Sequence, residues 1–371
     1  MRIALLADPI DNQNAGVHVY TREMVQALIR NNAGHELILI REKTDPELYG
    51  VRQIAIPNIR LPIGFASIRL FFIVPLVLRA LNVDVVIEPA HFGPFNLPGS
   101  VRRATVIHDL TPLLFPKLHR WHSQVLQKLF LKRILNHADL IITNSENTSR
   151  DVCNVFPDNC KKVKRIYPGI SSTYSATKTK PQSIPPAFSK NYFLSAGTIE
   201  PRKNLIVLLE AFTLFKSNTS SDTGLVICGG KGWKADSFFE ALASHPYRNE
   251  IALTGYVPEQ ELQSLYSNAL ATIYPSLYEG FGFPVAESLS CGIPVITSDN
   301  SSLSEAGGAG ALYFNAADTQ ALSDLMLKIV QQPELRNRLS EKGLQHVKQF
   351  NWDQFGKELL TKLEQLQSTK D

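Results

Sequence analysis

The chain repeats one pattern over most of its 371 residues: a short apolar segment, then a stretch in which apolar residues recur at helical spacing. In the first half the apolar segments read RIALLADP, HELILI, DVVIEP, ATVIHD and DLIITNS. Strands that are apolar throughout are typical of a parallel sheet covered by helices on both faces. The alternation therefore predicts an α/β fold with a doubly wound sheet.

Residues 171–190, SSTYSATKTKPQSIPPAFSK, interrupt this pattern. They lack periodicity and are rich in Ser, Thr, Lys and Pro, which predicts a linker. The alternation then restarts with YFLSAG, GLVICG, IALTG, ATIYPS, PVITSD and ALYF. We therefore expect two Rossmann-like domains of similar size, with the binding site in the cleft between them.

Charge is distributed unevenly between the two halves. Residues 1–180 carry 23 Lys and Arg against 14 Asp and Glu, a formal charge of +9, and the remainder carries 15 against 20, or −5. The basic residues are dispersed and match no nucleic-acid-binding motif, so we expect no nucleic acid partner. An anionic membrane surface or an acidic acceptor suits the first half better.

The cysteines and apolar segments bear on location. Cys153, Cys160, Cys228 and Cys291 show no metal-ligand or redox spacing, and we expect reduced, buried thiols in a cytoplasmic protein. The apolar run IALLA near the N-terminus is too short for a signal peptide. Residues 70–78, LFFIVPLVL, are too few to span a bilayer as a helix.

The stretch PSLYEGFGFPVAESLSCGIPV carries two glutamates eight residues apart, Glu279 and Glu287. The apolar segment before it predicts a strand that ends near Pro275, and the two glycines of YEGFG predict a tight turn. Pro284 suits the first turn of the following helix. This places Glu279 at the carboxyl end of a strand and Glu287 one turn into a helix, where open α/β sheets bind ligands.

A second strand end carries adjacent cations. In SAGTIEPRKN a glycine turn precedes Arg202 and Lys203, and a helical pattern follows. An arginine fork and a lysine point charge at a strand's carboxyl end can bind a diphosphate, whereas carboxylates suit sugar hydroxyls.

One segment loosely fits a dinucleotide-binding fingerprint. It is Gly230-x-Gly232-x-x-Ala235, between a predicted strand and a helix. Trp233 crowds the turn, and Gly255 stands where an acidic residue would end the next strand. An NAD-dependent enzyme is therefore disfavoured.

With these motifs the chain resembles the retaining glycosyltransferases of family 4, which have the GT-B fold: two Rossmann-like domains that face each other across a deep cleft. EGFGFPVAE and GTIEPRKN carry most of the resemblance, and lesser matches are NAGVHVYTREM, IHDLTP, TNSENTSRD, YPGI, TGYVPEQEL and SSLSEAGGAGALYF. It implies an acceptor-binding domain over residues 1–172, completed by a helix at 352–371. A linker at 173–190 and a nucleotide-sugar-binding domain at 191–351 would follow.

The resemblance also implies roles for single residues. Glu287 would accept hydrogen bonds from the ribose, and Glu279 would bind hydroxyls of the donor sugar. Arg202 and Lys203 would bind the diphosphate and stabilise the leaving group in place of a metal ion, so no metal and no cofactor is expected. Backbone N–H groups facing the sugar and diphosphate would come from Phe281, Gly282, Phe283 and Val285. The remainder of the donor site, including the base pocket, would comprise Gly197, Gly229, Gly230, Tyr256 and Val257.

In the N-terminal domain, Gly16 would belong to a loop that approaches the diphosphate and the acceptor. Many relatives have two glycines there, whereas this chain has Ala15 and Gly16. His108 would contact the donor sugar, and Asp109 would bind acceptor or position His108. The alternative for His108 is a histidine that only shapes its loop.

The mechanism implied is front-face substitution, in which the acceptor attacks as the phosphate leaves and the leaving diphosphate takes the acceptor's proton. A double displacement would need a carboxylate beneath the anomeric carbon. A glycosidase would use the two glutamates as acid and nucleophile, but Arg202 and Lys203 would then have no role. A noncatalytic nucleotide-sugar-binding subunit is a further alternative, which slow donor hydrolysis would exclude.

The motifs are most similar to those of bacterial mannosyltransferases that build O-antigen and other surface polysaccharides. They favour GDP-mannose as donor and a glycan or polyprenyl-linked glycan as acceptor, and UDP-hexoses and other GDP-sugars remain open.

Residues 116–138 predict a basic amphipathic helix that contacts the inner face of the membrane, or a core helix with a solvated cationic face. Its cations are Lys117, Arg120, Lys128, Lys132 and Arg133, and its apolar residues are Trp121, Leu126, Leu129, Phe130 and Leu131.

Overall fold

The computed structural model of the chain describes residues 1–12, 15–45, 48, 50–57, 68–90, 93–94, 96–118, 121–184 and 191–368. It divides into two compact units. The first contains Met1–Gly169 and Phe350–Asp371, and the second contains Ile170–Gln349.

The first unit is built on a parallel sheet of seven strands. These are β1 (Arg2–Leu6), β2 (Glu36–Arg41), β3 (Arg52–Ala55), β4 (Val85–Glu88), β5 (Arg102–Ile107), β6 (Leu140–Thr143) and β7 (Val163–Arg165), in the order β3-β2-β1-β4-β5-β6-β7. Among the described residues before 170, the α-helices are α1 (Asp8–Asn12), α2 (Ala15–Arg30), α3 (Val74–Ala80, preceded by a π-helical turn at Arg69–Ile73), α4 (Thr111–Leu114), α5 (Trp121–His137) and α6 (Glu146–Val155).

The second unit has a parallel sheet of six strands. These are β8 (Tyr192–Ala196), β9 (Gly224–Cys228), β10 (Ile251–Gly255), β11 (Ala271–Tyr274), β12 (Val295–Ser298) and β13 (Ala311–Phe314), in the order β10-β9-β8-β11-β12-β13. Its helices are α7 (Leu205–Ser217), α8 (Asp236–Ala243), α9 (Glu259–Asn268), α10 (Phe283–Ser290), α11 (Leu303–Gly307), α12 (Thr319–Gln331) and α13 (Pro333–His346). Along β8, Phe193 packs into an apolar cluster on one face and Leu194 into another on the opposite face. The predicted α/β class, with helices on both faces of parallel sheets, is confirmed.

The C-terminal helix, α14 (Trp352–Ser368), packs against α2 of the first unit. Arg30 pairs with Asp353 at 2.7 Å, and the ring of Trp352 lies edge-on to Tyr20. Phe350, which was predicted to lie in the second domain, belongs to the first unit because its ring packs on Tyr167.

The predicted linker differs from what the structure shows. Its described residues belong to the second unit, where they lie along α9. The Gln263 amide donates to the carbonyls of Ser175 and Thr177, and Glu261 accepts from the backbone amides of Gln182 and Ser183 at 2.7 Å each. Polar side chains of α9 thus bind a backbone that has no regular structure of its own. Residues 185–190 lie outside the described residues.

The expectation of four reduced, buried cysteines is wrong for one pair. Cys153, near the end of α6, forms a disulfide with Cys160 in the following turn, and Cys160 is exposed. Cys228 and Cys291 are buried free thiols. In the described parts of the chain, no helix is both long and apolar enough to cross a membrane.

Candidate active site

The carboxyl ends of β8, β9 and β10 are joined by closely packed glycine turns. The Gly197 amide donates to the Cys228 carbonyl and the Gly229 amide to the Gly255 carbonyl, each at 2.8 Å. Gly197 and Gly229 have φ of +141° and +145°, and a Cβ on Gly229 would lie 2.0 Å from the Gly197 carbonyl oxygen. Only glycine allows this approach. The backbone turns at Gly197, Gly229 and Gly255 therefore pack directly on one another at the edge of the sheet, and we call this feature the glycine ledge.

The site lies where the strand order reverses. β8 has β9 on one side and β11 on the other, although β11 follows three strands later in the sequence. At such a switch point the connections leave in opposite directions, which opens a crevice beyond the strand ends. The predicted cations follow β8 and Glu279 follows β11, so the topology brings them together.

Arg202 and Lys203 form a single helical turn after the β8 loop. Asn204, in the left-handed conformation with φ of 56°, ends this turn, and its side chain donates to the carbonyls of Pro275 and Ala316. The Arg202 guanidinium donates to the Tyr278 carbonyl at 2.9 Å and to the Glu200 carboxylate at 2.6 Å. Both cations are therefore held by the β11 side of the crevice.

Glu279 bridges the two cations. Its Oε2 lies 2.6 Å from Arg202 Nη1, and its Oε1 lies 2.8 Å from Lys203 Nζ. Its backbone is fixed as well, because its amide donates to the Ser301 hydroxyl and its carbonyl accepts from the Ser302 hydroxyl. Burial by itself would raise the pKa of Glu279, but the charges of Arg202 and Lys203 outweigh it and lower that pKa to about 2. Glu279 is thus an ionised carboxylate that is only 8% exposed.

Tyr274, the last residue of β11, was not predicted as a site residue. Its hydroxyl contacts both Lys203 and Glu279. A tyrosine at the end of an apolar strand is also what β-propensity favours, so the sequence carried no separate signal for it.

The turn between the glutamates is as tight as predicted. Gly282 has φ of +99° and is the N-cap residue of α10, and a Cβ there would lie 3.0 Å from the Leu303 side chain. Phe281, Gly282 and Phe283 lie at the N-terminus of α10, as expected. The Val285 amide donates to the Gly282 carbonyl at 3.0 Å in the first helical turn, and its contact with the sugar or diphosphate stays a prediction.

Glu287 lies on α10 in a different environment from Glu279. Its Oε2 accepts from the Tyr266 hydroxyl at 3.1 Å, and Tyr174 packs edge-on against the Tyr266 ring. Burial, aided by the charge of Glu259, raises the pKa of Glu287 to about 7, although the Tyr266 bond opposes the shift. The two glutamates of the motif therefore differ in charge near neutral pH.

The predicted base pocket comprises residues beside the glycine ledge. Tyr256 follows β10 and is 85% exposed, whereas Val257 packs against the apolar cluster beneath the sheet. Gly230 has open space where a side chain would lie.

His108 and Asp109 lie in the first unit at the end of β5. The His108 Nε2 is 2.7 Å from the Pro89 carbonyl, so this nitrogen carries a hydrogen and donates it. Burial lowers the pKa of His108, against the opposing effects of this bond and of Asp109, and favours the neutral ring. The Asp109 carboxylate accepts from the Thr111 amide at 3.0 Å at the start of α4. These contacts explain how the pair is oriented, and its role toward a sugar stays a prediction.

Gly16 differs from the expectation of a loop residue, because it lies in the first turn of α2, with open space where a Cβ would lie. Residues 13 and 14, in the predicted loop, and Arg120, in the predicted basic segment, lie outside the described residues. So do the side chains of Ala15, Trp121 and Leu126.

Comparison with known families and proteins gives matches over both units. The family described as Glycosyltransferase Family 4 matches residues 14–174, and the family described as Glycosyl transferases group 1 matches residues 177–346. O-antigen chain mannosyltransferase B of Escherichia coli is 32% identical over 271 residues, which cover 71% of each chain. O-antigen chain mannosyltransferase RfbU of Salmonella typhimurium is 26% identical over 70% of this chain and 68% of its own.

Solved structures of similar fold cover almost the whole chain. Sucrose-phosphate synthase from Thermosynechococcus elongatus superposes with a TM-score of 0.76 at 19% identity over all of both chains. WaaG, a glycosyltransferase involved in lipopolysaccharide biosynthesis, superposes with a TM-score of 0.71 at 14% identity over 96% of this chain and 98% of its own.

Proposed function

The chain belongs to glycosyltransferase family 4 and is a sugar-transferring enzyme of the GT-B fold, and we propose that it moves mannose from GDP-mannose to a glycan acceptor with retention of anomeric configuration. The observation that carries the proposal is the cluster of Arg202, Lys203 and Glu279 at the switch point of the second sheet. Two cations and a carboxylate lie in direct contact there. The cations suit the diphosphate of a nucleotide sugar, and the carboxylate suits the hydroxyls of its sugar.

The diphosphate would bind to the two cations. Arg202 can form a bidentate contact with phosphate oxygens, and Lys203 adds a compact charge beside it. As the bond to the sugar breaks, negative charge grows on the leaving phosphate, and preorganised cations stabilise it. In this proposal they supply the stabilisation that a divalent ion provides in other transferases, and no metal or cofactor is needed.

Retention is proposed to follow the front-face route. A double displacement would need a nucleophilic carboxylate beneath the anomeric carbon. Glu279 is a poor candidate, because two cations neutralise it and hold its pKa at about 2. We assign it instead to the hydroxyls of the donor sugar, with Glu287 on the ribose. The enzyme then contributes orientation and charge stabilisation.

Mannose is favoured because relatives that match most of this chain are named as mannosyltransferases of the O-antigen chain. The same names support a role in building a surface polysaccharide. We propose a growing or polyprenyl-linked glycan as the acceptor, at the cytoplasmic face of the membrane. A UDP-hexose would use the same cations and glutamates and would change only the contacts to base and sugar.

Calorimetric titration of the purified chain with GDP and with UDP, both in EDTA, tests the donor. Tighter binding of GDP is expected, followed by slow release of GDP from GDP-mannose without acceptor. Tighter binding of UDP would overturn the donor but leave the family unchanged. Binding without any hydrolysis of a nucleotide sugar would favour a noncatalytic subunit, and binding that requires Mg²⁺ would contradict the metal-free proposal.

The affinity for GDP is expected to rise about tenfold from pH 6 to pH 8, because the Glu287 carboxyl titrates with a pKa of about 7. Ribose hydroxyls donate hydrogen bonds to the ionised carboxylate of Glu287. At low pH Glu287 is mostly protonated and must lose its proton before GDP binds, which lowers the observed affinity. The same calorimetric experiments with Glu287→Gln provide the control. Any change in the protonation of the GDP phosphates between pH 6 and pH 8 affects both proteins equally. An equal pH dependence in the variant would remove Glu287 from the ribose site.

We also propose peripheral contact with an anionic membrane through the helical layer of the first unit. The crossovers from β3 to β4 and from β5 to β6 run in the same direction across the sheet, so right-handed connections place α3 and α5 on one face. Ile68, Phe72 and Leu76 form a stripe at helical spacing and are 50%, 59% and 67% exposed. On α5, exposed Leu129 has Lys128 and Lys132 as exposed neighbours.

Flotation with phosphatidylglycerol vesicles should carry the protein upward, and phosphatidylcholine vesicles should not. Changing Phe72 and Leu76 together to serine is expected to abolish flotation, because the stripe loses its apolar area. Val155→Ser, at another exposed apolar residue of the same unit, serves as the control. Absence of wild-type flotation, or equal flotation of the double variant, would refute this contact.

A further inference from the structure

Tyr274 is a buried side chain at the centre of the charged cluster. It ends β11, an interior strand that pairs with β8 on one side and β12 on the other. Its carbonyl accepts from the Thr297 hydroxyl at 2.8 Å, which fixes its backbone. Only 2% of the residue is exposed.

The hydroxyl of Tyr274 has one possible pattern of hydrogen bonds. The Lys203 ammonium can only donate, so the tyrosine oxygen accepts from it. The single hydroxyl hydrogen is then directed to Glu279 Oε1 at 3.1 Å. Lys203 Nζ also lies 4.7 Å from the centre of the tyrosine ring. Burial and the charge of Glu279 raise the pKa of Tyr274 well above its ordinary value, so the hydroxyl keeps its proton.

Binding of a diphosphate changes what the cations can do for Glu279. Arg202 and Lys203 would have to share their charge between the ligand and the carboxylate, which weakens both ion pairs. The hydroxyl of Tyr274 is directed at Glu279 from within the sheet and is not consumed by a phosphate that binds the cations. It can therefore keep the carboxylate and the ammonium in position during this exchange.

We propose that Tyr274 is a positioning residue of the transfer reaction, whose hydroxyl holds Lys203 and Glu279 in the geometry that the donor requires. The inference rests on the donor site proposed above. It assigns to the sheet a contribution beyond the motif residues themselves: an immobile hydroxyl that links the leaving-group cation to the sugar-binding carboxylate.

The test is Tyr274→Phe, which removes only the hydroxyl and keeps the ring beside Lys203. Acceptor-free hydrolysis is measured with whichever of GDP-mannose and UDP-glucose the wild type cleaves. The kcat is expressed per nucleotide-binding site, counted from calorimetric stoichiometry, so that misfolded protein does not lower it. We expect kcat to fall about 10–100-fold, the range for loss of a hydrogen bond to a charged group. The Kd of the bare nucleoside diphosphate should change less than about threefold, because both cations remain.

The matched control is Tyr192→Phe on the neighbouring strand β8. Tyr192 is also buried, and its hydroxyl donates to the Leu265 carbonyl at 2.6 Å. The Tyr192→Phe variant should have a lower unfolding temperature than the wild type and an unchanged kcat per site. Wild-type kcat per site in Tyr274→Phe, or an equal loss in both variants, would overturn the positioning role. A wild type that neither binds GDP or UDP nor hydrolyses a nucleotide sugar would overturn the donor site itself, and the assignment of Tyr274 with it.

Discussion

Replacement of Lys203 by methionine is expected to lower the turnover of the nucleotide sugar about 10²–10³-fold, the usual effect of removing one preorganised donor to a developing oxyanion. Methionine keeps much of the length and apolar volume of lysine but removes the charge next to the leaving phosphate. Lys203 is held by Glu279 and Tyr274 before the donor arrives, so its stabilisation of the leaving group costs little reorganisation. Hydrolysis of the donor without acceptor gives the rate directly.

A suitable control is Lys216→Met, at the opposite end of α7 from Lys203. Lys216 is also poorly exposed and ion-paired, in its case with Glu250. Because it follows the helix away from the carboxyl edge, its loss should leave kcat within about twofold of wild type. If Lys203→Met retained more than a tenth of wild-type kcat, Lys203 could not be the main stabiliser of the leaving group.

Replacement of Arg103 by methionine is expected to destabilise the first unit by about 3–5 kcal/mol, the cost of leaving a buried charge without its partner. Arg103 Nε lies 2.6 Å from Glu88 Oε1, and the side chains are 3% and 0% exposed. Burial raises the pKa of Glu88, and Arg103 opposes this shift. The backbone of Gly93 packs against this carboxylate, so closely that a Cβ there would be 2.0 Å from Oε1. Urea unfolding of the variant and the wild type measures the difference.

The double variant Glu88→Leu, Arg103→Met separates the cost of an orphaned charge from the value of the pair. Replacing a buried pair by apolar residues of similar volume is often neutral or stabilising, so we expect most of the lost stability to return. A double variant less stable than Arg103→Met would show that the ion pair stabilises the unit beyond satisfying its own charges.

The fold class followed from the sequence because buried parallel strands must be apolar along their whole length. This is seen in the segments IALL, LIIT and LVIC. None of them has a polar face to present to water, and each forms a strand covered on both sides. The motif residues were also readable locally. Gly282 had to be a glycine in a left-handed turn, and Arg202, Lys203 and Glu279 each followed an apolar strand.

Other features depended on where strands and loops came to lie. The described residues of the predicted linker had no periodic pattern to follow, and their hydrogen bonds to α9, together with the burial of Ile184 in the neighbouring apolar cluster, placed them in the second unit. The disulfide between Cys153 and Cys160 arises because the turn after α6 brings the two thiols together, which their spacing did not indicate.

What the sequence determined by itself were the two α/β units and the residue types at their strand ends, because periodicity and glycine turns report local backbone geometry. The tertiary structure decided which of these residues touch. Lys203 and Glu279 are 76 residues apart and meet because β8 and β11 are neighbours in the sheet. The same strand order buries the Tyr274 hydroxyl between them, and it places Glu287 against Tyr266 on α9. Charge, burial and the pKa values of the glutamates depend on these neighbours, and strand order is a property of the folded sheet rather than of any local stretch of sequence.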